Sequence, residues 1–244
     1  LEKSYMNDIT TILTVWKRSS LEEQLSRMRE QTVDSDFVVW QNDSLVDISN
    51  LRDQYEFTHI HSVNYNWKFY GRFAVPLLLN TKYTVILDDD TLPNPKWLEK
   101  CIKLCEEKEC IVGGNGRVLI ESQLKSNNYA EIVDTPNKDH KVDFVGHAWF
   151  FKTEWIKYLW SEPVLTYENA EDISFCAACS IHGNIPCFVP DCTNKEEMGD
   201  SDKRKYGTDK HSFSLHTANH VQTRLNVLTY WLNKGWNPLY EEKK

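Results

Sequence analysis

No stretch of the sequence approaches the ~20 consecutive apolar residues of a membrane helix, and the N-terminus shows no charged-then-apolar signal region. A protein without a transmembrane segment, cytoplasmic or otherwise soluble, is expected, with a luminal placement only if a targeting segment is missing from its start. Positive charge is also scarce. A net charge of −8 over 244 residues argues against a general binder of nucleic-acid backbones, because that affinity rests on clustered Lys and Arg. Low-complexity runs and internal repeats are absent, and 41% apolar with 26% charged residues is ordinary globular composition. Disorder is not the reading. Seven cysteines is an odd number, with Cys101, Cys105 and Cys110 on or near one predicted helix, so a secreted disulfide scaffold is excluded. Cys176 and Cys179 form a lone CxxC inside an apolar helical run, better read as buried structural cysteines than as a zinc site. A bridge between Cys187 and Cys192 stays open.

What is present alternates between strands and helices. Ile9 to Val15 reads as a strand, followed by a Ser-capped helix from Leu21 to Glu30, a strand at Phe37 to Trp40 and another at His59 to Val63. Tyr83 to Leu87 is the clearest buried strand, rich in β-formers and closed by Asp88, Asp89 and Asp90. Asn94-Pro95 then caps a helix from Lys96 to Glu107. Ile111 to Ile120 reads as two strands around an Asn115-Gly116 turn, and Val142 to Phe151 as a strand interrupted at Gly146-His147. Further helices are expected from Thr153 to Trp160, from about Ala170 to His182 with a stop at Gly183, and from His216 to Asn233. Ile185 to Val189 is a last strand. The polar run Asp191 to Lys210 lacks periodicity and carries Gly199, Gly207, Lys203, Arg204 and Lys205, so it is either a lid over a site or a surface loop. The pattern predicts a single α/β domain with a mainly parallel central sheet flanked by helices.

The chemistry is expected beyond the carboxyl end of the Tyr83 to Leu87 strand, where open α/β sheets bind ligands. Three adjacent aspartates repel one another unless a cation sits among them, so Asp88 and Asp90 are candidate ligands for Mn²⁺ or Mg²⁺. On an extended strand end these two share a side, with Asp89 opposite. The plain alternative is an exposed acidic turn before a helix. Glu171 and Asp172 open a predicted helix whose dipole would keep both ionised, fit for a general base or for a group facing positive charge, or merely for capping. His216, His220 and Arg224 share one helix face. A histidine there suits the metal and the arginine suits phosphate or sugar oxygens, unless the histidines simply face solvent. Arg18 and Arg72 are the other cations placed near phosphate or base.

Five segments in order resemble the exostosin-like glycosyltransferases, glycosyltransferase family 64, which have the nucleotide-sugar-binding GT-A fold. They are Val38 to Asn42, Val85 to Leu92, Gly146 to Phe151, Asn169 to Ile173 and the His216/His220/Arg224 helix. The resemblance implies a manganese-dependent enzyme that transfers sugar from UDP to a glycan or glycoprotein hydroxyl with retention of configuration. It also implies roles: Asp88 to Asp90 look like the family's nucleotide and metal acids, Asp172 like its active-site carboxylate and Arg224 like its active-site arginine. Arg18 and Asn42 look like nucleotide contacts, with His220 beside them, and Arg72, preceded by Asn64 and Asn66, like part of the base-binding segment. Glu171-Asp172 preceded by Ala170 departs from the family's two aspartates preceded by a cysteine, so the bridge that cysteine makes to the last helix is absent. Residues 1–5 read as a vector-derived leader and 6–244 as one domain, with a nucleotide-binding half at about 6–92 and an acceptor and catalytic half at about 93–240. The open alternatives are an inverting transferase of the same fold with Asp172 as base, an aspartate-nucleophile phosphatase, and a non-catalytic sugar-binding module suited by the nine tryptophans.

Overall fold

A computed structural model describes residues 8–194, 199–201, 209–212 and 219–240, the strand at 199–201 by its backbone. Strand β1 (Ile9–Val15) is apolar or threonine at every position and buried along nearly all its length. It pairs in parallel with β2 (Asp36–Asn42) on one side and β4 (Tyr83–Leu87) on the other, and β3 (Thr58–Ser62) extends the parallel set beyond β2. Helix α1 (Leu21–Arg29) connects β1 to β2, and the short helix α2 (Tyr70–Ala74) precedes β4. These crossovers are what parallel strands require.

Past β4 the sheet changes character. Strands β5 (Thr91–Pro93), β6 (Ile111–Leu119), β7 (Ala130–Val133), β8 (His140–Val142), β9 (Phe144–Lys152) and β10 (Cys187–Val189) follow, with α3 (Trp97–Lys108) between β5 and β6. The main sheet runs β3-β2-β1-β4-β9-β6-β10-β8, with β7 on β6. Strand β9 is antiparallel to both β4 and β6, while β10 is parallel to β6. The expected α/β fold with a helix-flanked central sheet is present. Its sheet is mixed, however, because residues 120–143 hold no crossover helix and return the chain to the sheet antiparallel.

Local expectations also change. Ile111 to Leu119 is one continuous strand, and Asn115-Gly116 does not turn. A Cβ on Gly116 would stand 2.7 Å from Val142, so this glycine serves close packing. The interruption at Gly146-His147 is a β-bulge: the register with β6 shifts between Gly113 and Asn115, and His147 takes the left-handed φ of 64°. Ser20 does not cap α1 through its side chain; its hydroxyl donates instead to the Asp89 carbonyl. The N-cap of α3 is Lys96 rather than Asn94, two residues later than expected. Helix α4 (Ile156–Trp160) is followed by α5 (Glu171–Gly183), which closes on Asn184, left-handed at φ 52°, one residue past the expected glycine. Helix α6 spans His220–Asn233, and His216 lies outside the described residues, as do residues 1–5.

All seven cysteines are free and all but Cys192 are buried, so Cys187 and Cys192 form no bridge. Of the polar run, Gly199–Ser201 forms β11, antiparallel to β5, and Lys203, Arg204, Lys205 and Gly207 lie outside the described residues. Among the described residues no helix is long and apolar enough to cross a membrane.

Below the carboxyl end of β4 sits an aromatic cluster. Phe73 of α2 meets Trp149 of β9 at 5.3 Å and Phe175 of α5 at 5.6 Å, and Phe175 meets Phe151 at 4.8 Å. This cluster locks α2, β9 and α5 together, and each carries a polar residue of the site described next. Tight packing between β6 and β9 sets the register that makes the bulge, since a Cβ on Gly113 would fall 2.2 Å from Val145. Gly113→Ala is therefore expected to lower unfolding free energy by about 1–3 kcal/mol through overpacking. Urea denaturation checks it, and an unchanged midpoint would show that Val145 yields freely.

Candidate active site

The turn after β4 is held from several sides. The Asp88 amide donates to the His147 carbonyl at 2.9 Å, and Gln24 of α1 donates to the Asp88 and Thr91 carbonyls at 2.7 and 3.0 Å. With Ser20 on the Asp89 carbonyl, α1 fixes the backbone and leaves the three carboxylates to the cleft. Asp88 and Asp90 lie on one side with His147, whose bulged backbone aims its ring at them. One ligand atom from each lies within 4.8 Å of the others, and His147 Nδ1 is 3.8 Å from Asp90 Oδ1. Asp89 turns to Arg18 at 2.5 Å.

Burial pushes the Asp89 and Asp90 carboxyls up to about 6, with Arg18 opposing the shift in both and neighbouring carboxylates adding to it. Asp90 Oδ1 is a buried acceptor without a hydrogen-bond donor. A buried acceptor of this kind is costly unless something positive meets it. Two carboxylates and an imidazole form a donor set that suits Mn²⁺ or Mg²⁺, so these residues fit a divalent cation.

Two buried ion pairs stand beside this cluster. Arg72 is 4% exposed and spans two elements, with Nη1 on Asp88 and Nη2 on Glu171 at 3.0 Å, while Trp149 lies 5.0 Å beneath the guanidinium. Arg224 of α6 grips Asp172 with both terminal nitrogens, at 3.0 and 2.7 Å, and its Nε donates to the Tyr129 hydroxyl at 2.8 Å. Asp172 Oδ1 also accepts from the Ile173 amide at 2.8 Å. Both helices enter the site from a left-handed residue, Ala170 at φ 68° before α5 and Asn219 at φ 66° before α6. A non-glycine residue there costs of order 1–3 kcal/mol, and such strain gathers at functional sites. Burial, with Asp172 adjoining, pushes the Glu171 carboxyl up, and the buried cations Arg72 and Arg224 pull against that shift.

The remaining candidates are also located. Arg18 donates to Asp209 through Nε at 3.0 Å and Nη2 at 2.8 Å, which holds Asp209 down at about 2. Asn42 brackets a loop, donating to Asn66 Oδ1 at 3.0 Å and the Lys68 carbonyl at 3.1 Å and accepting from the Trp67 amide. His220 borders the cleft one turn before Arg224 and is kept low by burial and then by that arginine. Among the described residues the histidine that stands with Asp88 and Asp90 is His147, and His216 lies outside them.

One open cleft of about 1220 Å³ is lined by Arg18, Asn42, Arg72, Asp88, Asp89, Asp90, Glu171, Asp172, His220 and Arg224, so the candidates named from the sequence converge. Asn66 joins them and Asn64 does not. Sequence reasoning missed the approach of His147 to Asp88 and Asp90, although it stood inside the Gly146 to Phe151 segment, because a bulge that redirects a side chain leaves no mark in hydrophobic periodicity. It also missed Arg117 and Tyr129, which line the cleft, and Asp209, which accepts from Arg18 there, all brought in through tertiary contacts alone.

The fold is the GT-A type of glycosyltransferases. The crystal structure of S. aureus TarS 1-349 matches it with a TM-score of 0.52 at 13% identity, over 75% of this chain and 60% of that one. A longer S. aureus TarS structure gives a TM-score of 0.49 at 15% identity, over 75% and 36%. The chain thus spans less than two thirds of either TarS chain, and at such identity the likeness speaks to fold alone. No protein-family model matches the chain, and no curated protein matches its sequence.

Arg224→Ala would leave Asp172 charged and mostly buried without its partner, and a loss of about 3–5 kcal/mol in stability is expected. Adding Asp172→Asn should recover much of it. Chemical denaturation of the single and double variants checks the coupling, and strictly additive losses would deny the pair.

Proposed function

We propose that this protein is a metal-dependent glycosyltransferase that moves a hexose-type sugar from a UDP donor to a hydroxyl of a glycan or glycoprotein, with retention of configuration, in the manner of the exostosin-like enzymes. The observation that carries the reading is the meeting of Asp88, Asp90 and His147 with the Arg72–Glu171 and Arg224–Asp172 pairs in one cleft of a GT-A fold. A sugar-binding module has no need of a buried acceptor oxygen among three aspartates. A phosphatase nucleophile belongs to a different fold.

Asp88, Asp90 and His147 would hold Mn²⁺ or Mg²⁺. Such a cation would offset the charge that grows on a departing diphosphate. Arg18, already on Asp89 and Asp209, is a second cation for the phosphates, and a guanidinium exchanges a carboxylate for a phosphate with the same fork geometry. Asn42 shapes the loop of Asn66 and Lys68 at the nucleotide end. Arg72 aligns Asp88 with the catalytic acids and keeps its own charge throughout. Asp172 faces the cleft with both oxygens engaged by Arg224 and one by the Ile173 amide, which suits a fixed negative charge opposite a developing oxocarbenium ion. That engagement favours retention over the reading of Asp172 as the base of an inverting transferase, whose carboxylate would have to take a proton.

Asp90→Asn and His147→Ala are each expected to abolish Mn²⁺-dependent UDP binding, measured by titration calorimetry. Asp172→Asn should leave that affinity nearly intact while lowering transfer or donor hydrolysis by ~10²-fold or more, as for a group acting in the transition state. Undiminished UDP affinity in both metal-site variants would remove the cation from the account. Undiminished turnover in Asp172→Asn would remove its catalytic role.

A further inference from the structure

Arg18 holds an inner and an outer carboxylate. Asp89 meets Nη1 at 2.5 Å from the turn after β4, with its side chain only 14% exposed. Asp209 takes the other edge of the guanidinium side-on, Nε donating to Oδ2 at 3.0 Å and Nη2 to Oδ1 at 2.8 Å, and its side chain is 28% exposed. Nη2 also lies 3.7 Å from Asp90 Oδ2. A single guanidinium therefore stands among three carboxylates, and the outermost fills the two-pronged edge that suits a phosphate. It does so beside an acid of the proposed cation site, where Arg18, His211 and Ser212 line the cleft.

Asp209 is equipped to give up this contact. Its Oδ1 accepts from the His211 amide at 2.8 Å and from the Ser212 hydroxyl at 3.4 Å, and its own amide donates to Ser212 Oγ at 3.0 Å. These local bonds keep the carboxylate satisfied without Arg18, whereas the more deeply buried Asp89 would be stranded. A donor diphosphate brings further negative charge, and it cannot share the Nε and Nη2 edge with a carboxylate already bonded to both nitrogens. Either Asp209 leaves or Arg18 makes no two-pronged phosphate contact. Taking the cleft to be that of a glycosyltransferase whose donor phosphates meet Arg18, we propose that Asp209 is an internal competitor: its carboxylate occupies the phosphate position on Arg18, has to be displaced by the donor, and so holds donor affinity below what the cleft would otherwise give.

The test measures equilibrium binding of UDP, inorganic pyrophosphate and uridine, each with Mg²⁺, to the whole chain and to its Asp209→Asn variant. Asparagine keeps an oxygen for the His211 amide but offers Arg18 no charge. Asp209→Asn is expected to tighten UDP and pyrophosphate roughly ten-fold, the equivalent of one charge-assisted hydrogen bond, and to leave uridine, which has no phosphate, unchanged. In an Arg18→Gln background the same substitution should gain nothing, because the two residues act through one contact. An equal gain in that background would overturn the proposal, since it would show only that a negative charge had been removed from the cleft. Unchanged affinity for both phosphate probes would overturn it as well, and so would a loss, which would make Asp209 a contact of the donor or its cation. Tighter pyrophosphate in Asp209→Asn, with no UDP binding by either protein, would reject the nucleotide-donor reading while keeping Asp209 as the competitor on Arg18.

Discussion

Arg72 lies inside the protein, and its guanidinium cannot shed its charge, so the surrounding chain has to supply the counter-charge and hold it in place. Asp88 does so from the end of β4 and Glu171 from the start of α5, and Trp149 of β9 presents its ring below. The site depends on this junction. It joins the parallel strands β1 to β4 to the mixed region that carries the second acidic pair, and neither acid can move without stranding a buried cation. The aromatic contacts of Phe73, Trp149 and Phe175 lie directly beneath, so packing and charge fix the same three elements.

Around that junction the cleft gathers more negative groups than it neutralises. Asp89, Asp90 and Glu171 are each pushed up by burial, and Asp90 keeps an oxygen with no donor. A divalent cation between Asp88, Asp90 and His147 would relieve this more effectively than protonation.

Much of this was legible in the sequence, for physical reasons that can be named. The buried strand Tyr83 to Leu87 announces itself by β-branched composition, and acids straight after it need an explanation that chain geometry supplies. The start of α5 at Glu171-Asp172 and the helical spacing of His220 and Arg224 follow from periodicity. Periodicity does not carry strand direction. The antiparallel insertion of β9 between β4 and β6 was therefore missed, and with it the bulge that turns His147 toward Asp90. Side-chain pairing was equally hidden: Ser20 looks like a cap and instead holds the Asp89 carbonyl, and Asn115-Gly116 looks like a turn where the small residue only admits Val142.

The central claim is that Asp88, Asp90 and His147 hold a cation that meets the donor diphosphate. Crystals grown with UDP and Mn²⁺, measured at a wavelength where manganese scatters anomalously, address it directly. The account predicts a single strong anomalous peak among the Asp88 and Asp90 carboxylates and the His147 ring, in contact with the diphosphate. UDP bound in the cleft with no such peak, or with manganese bound elsewhere, would contradict it.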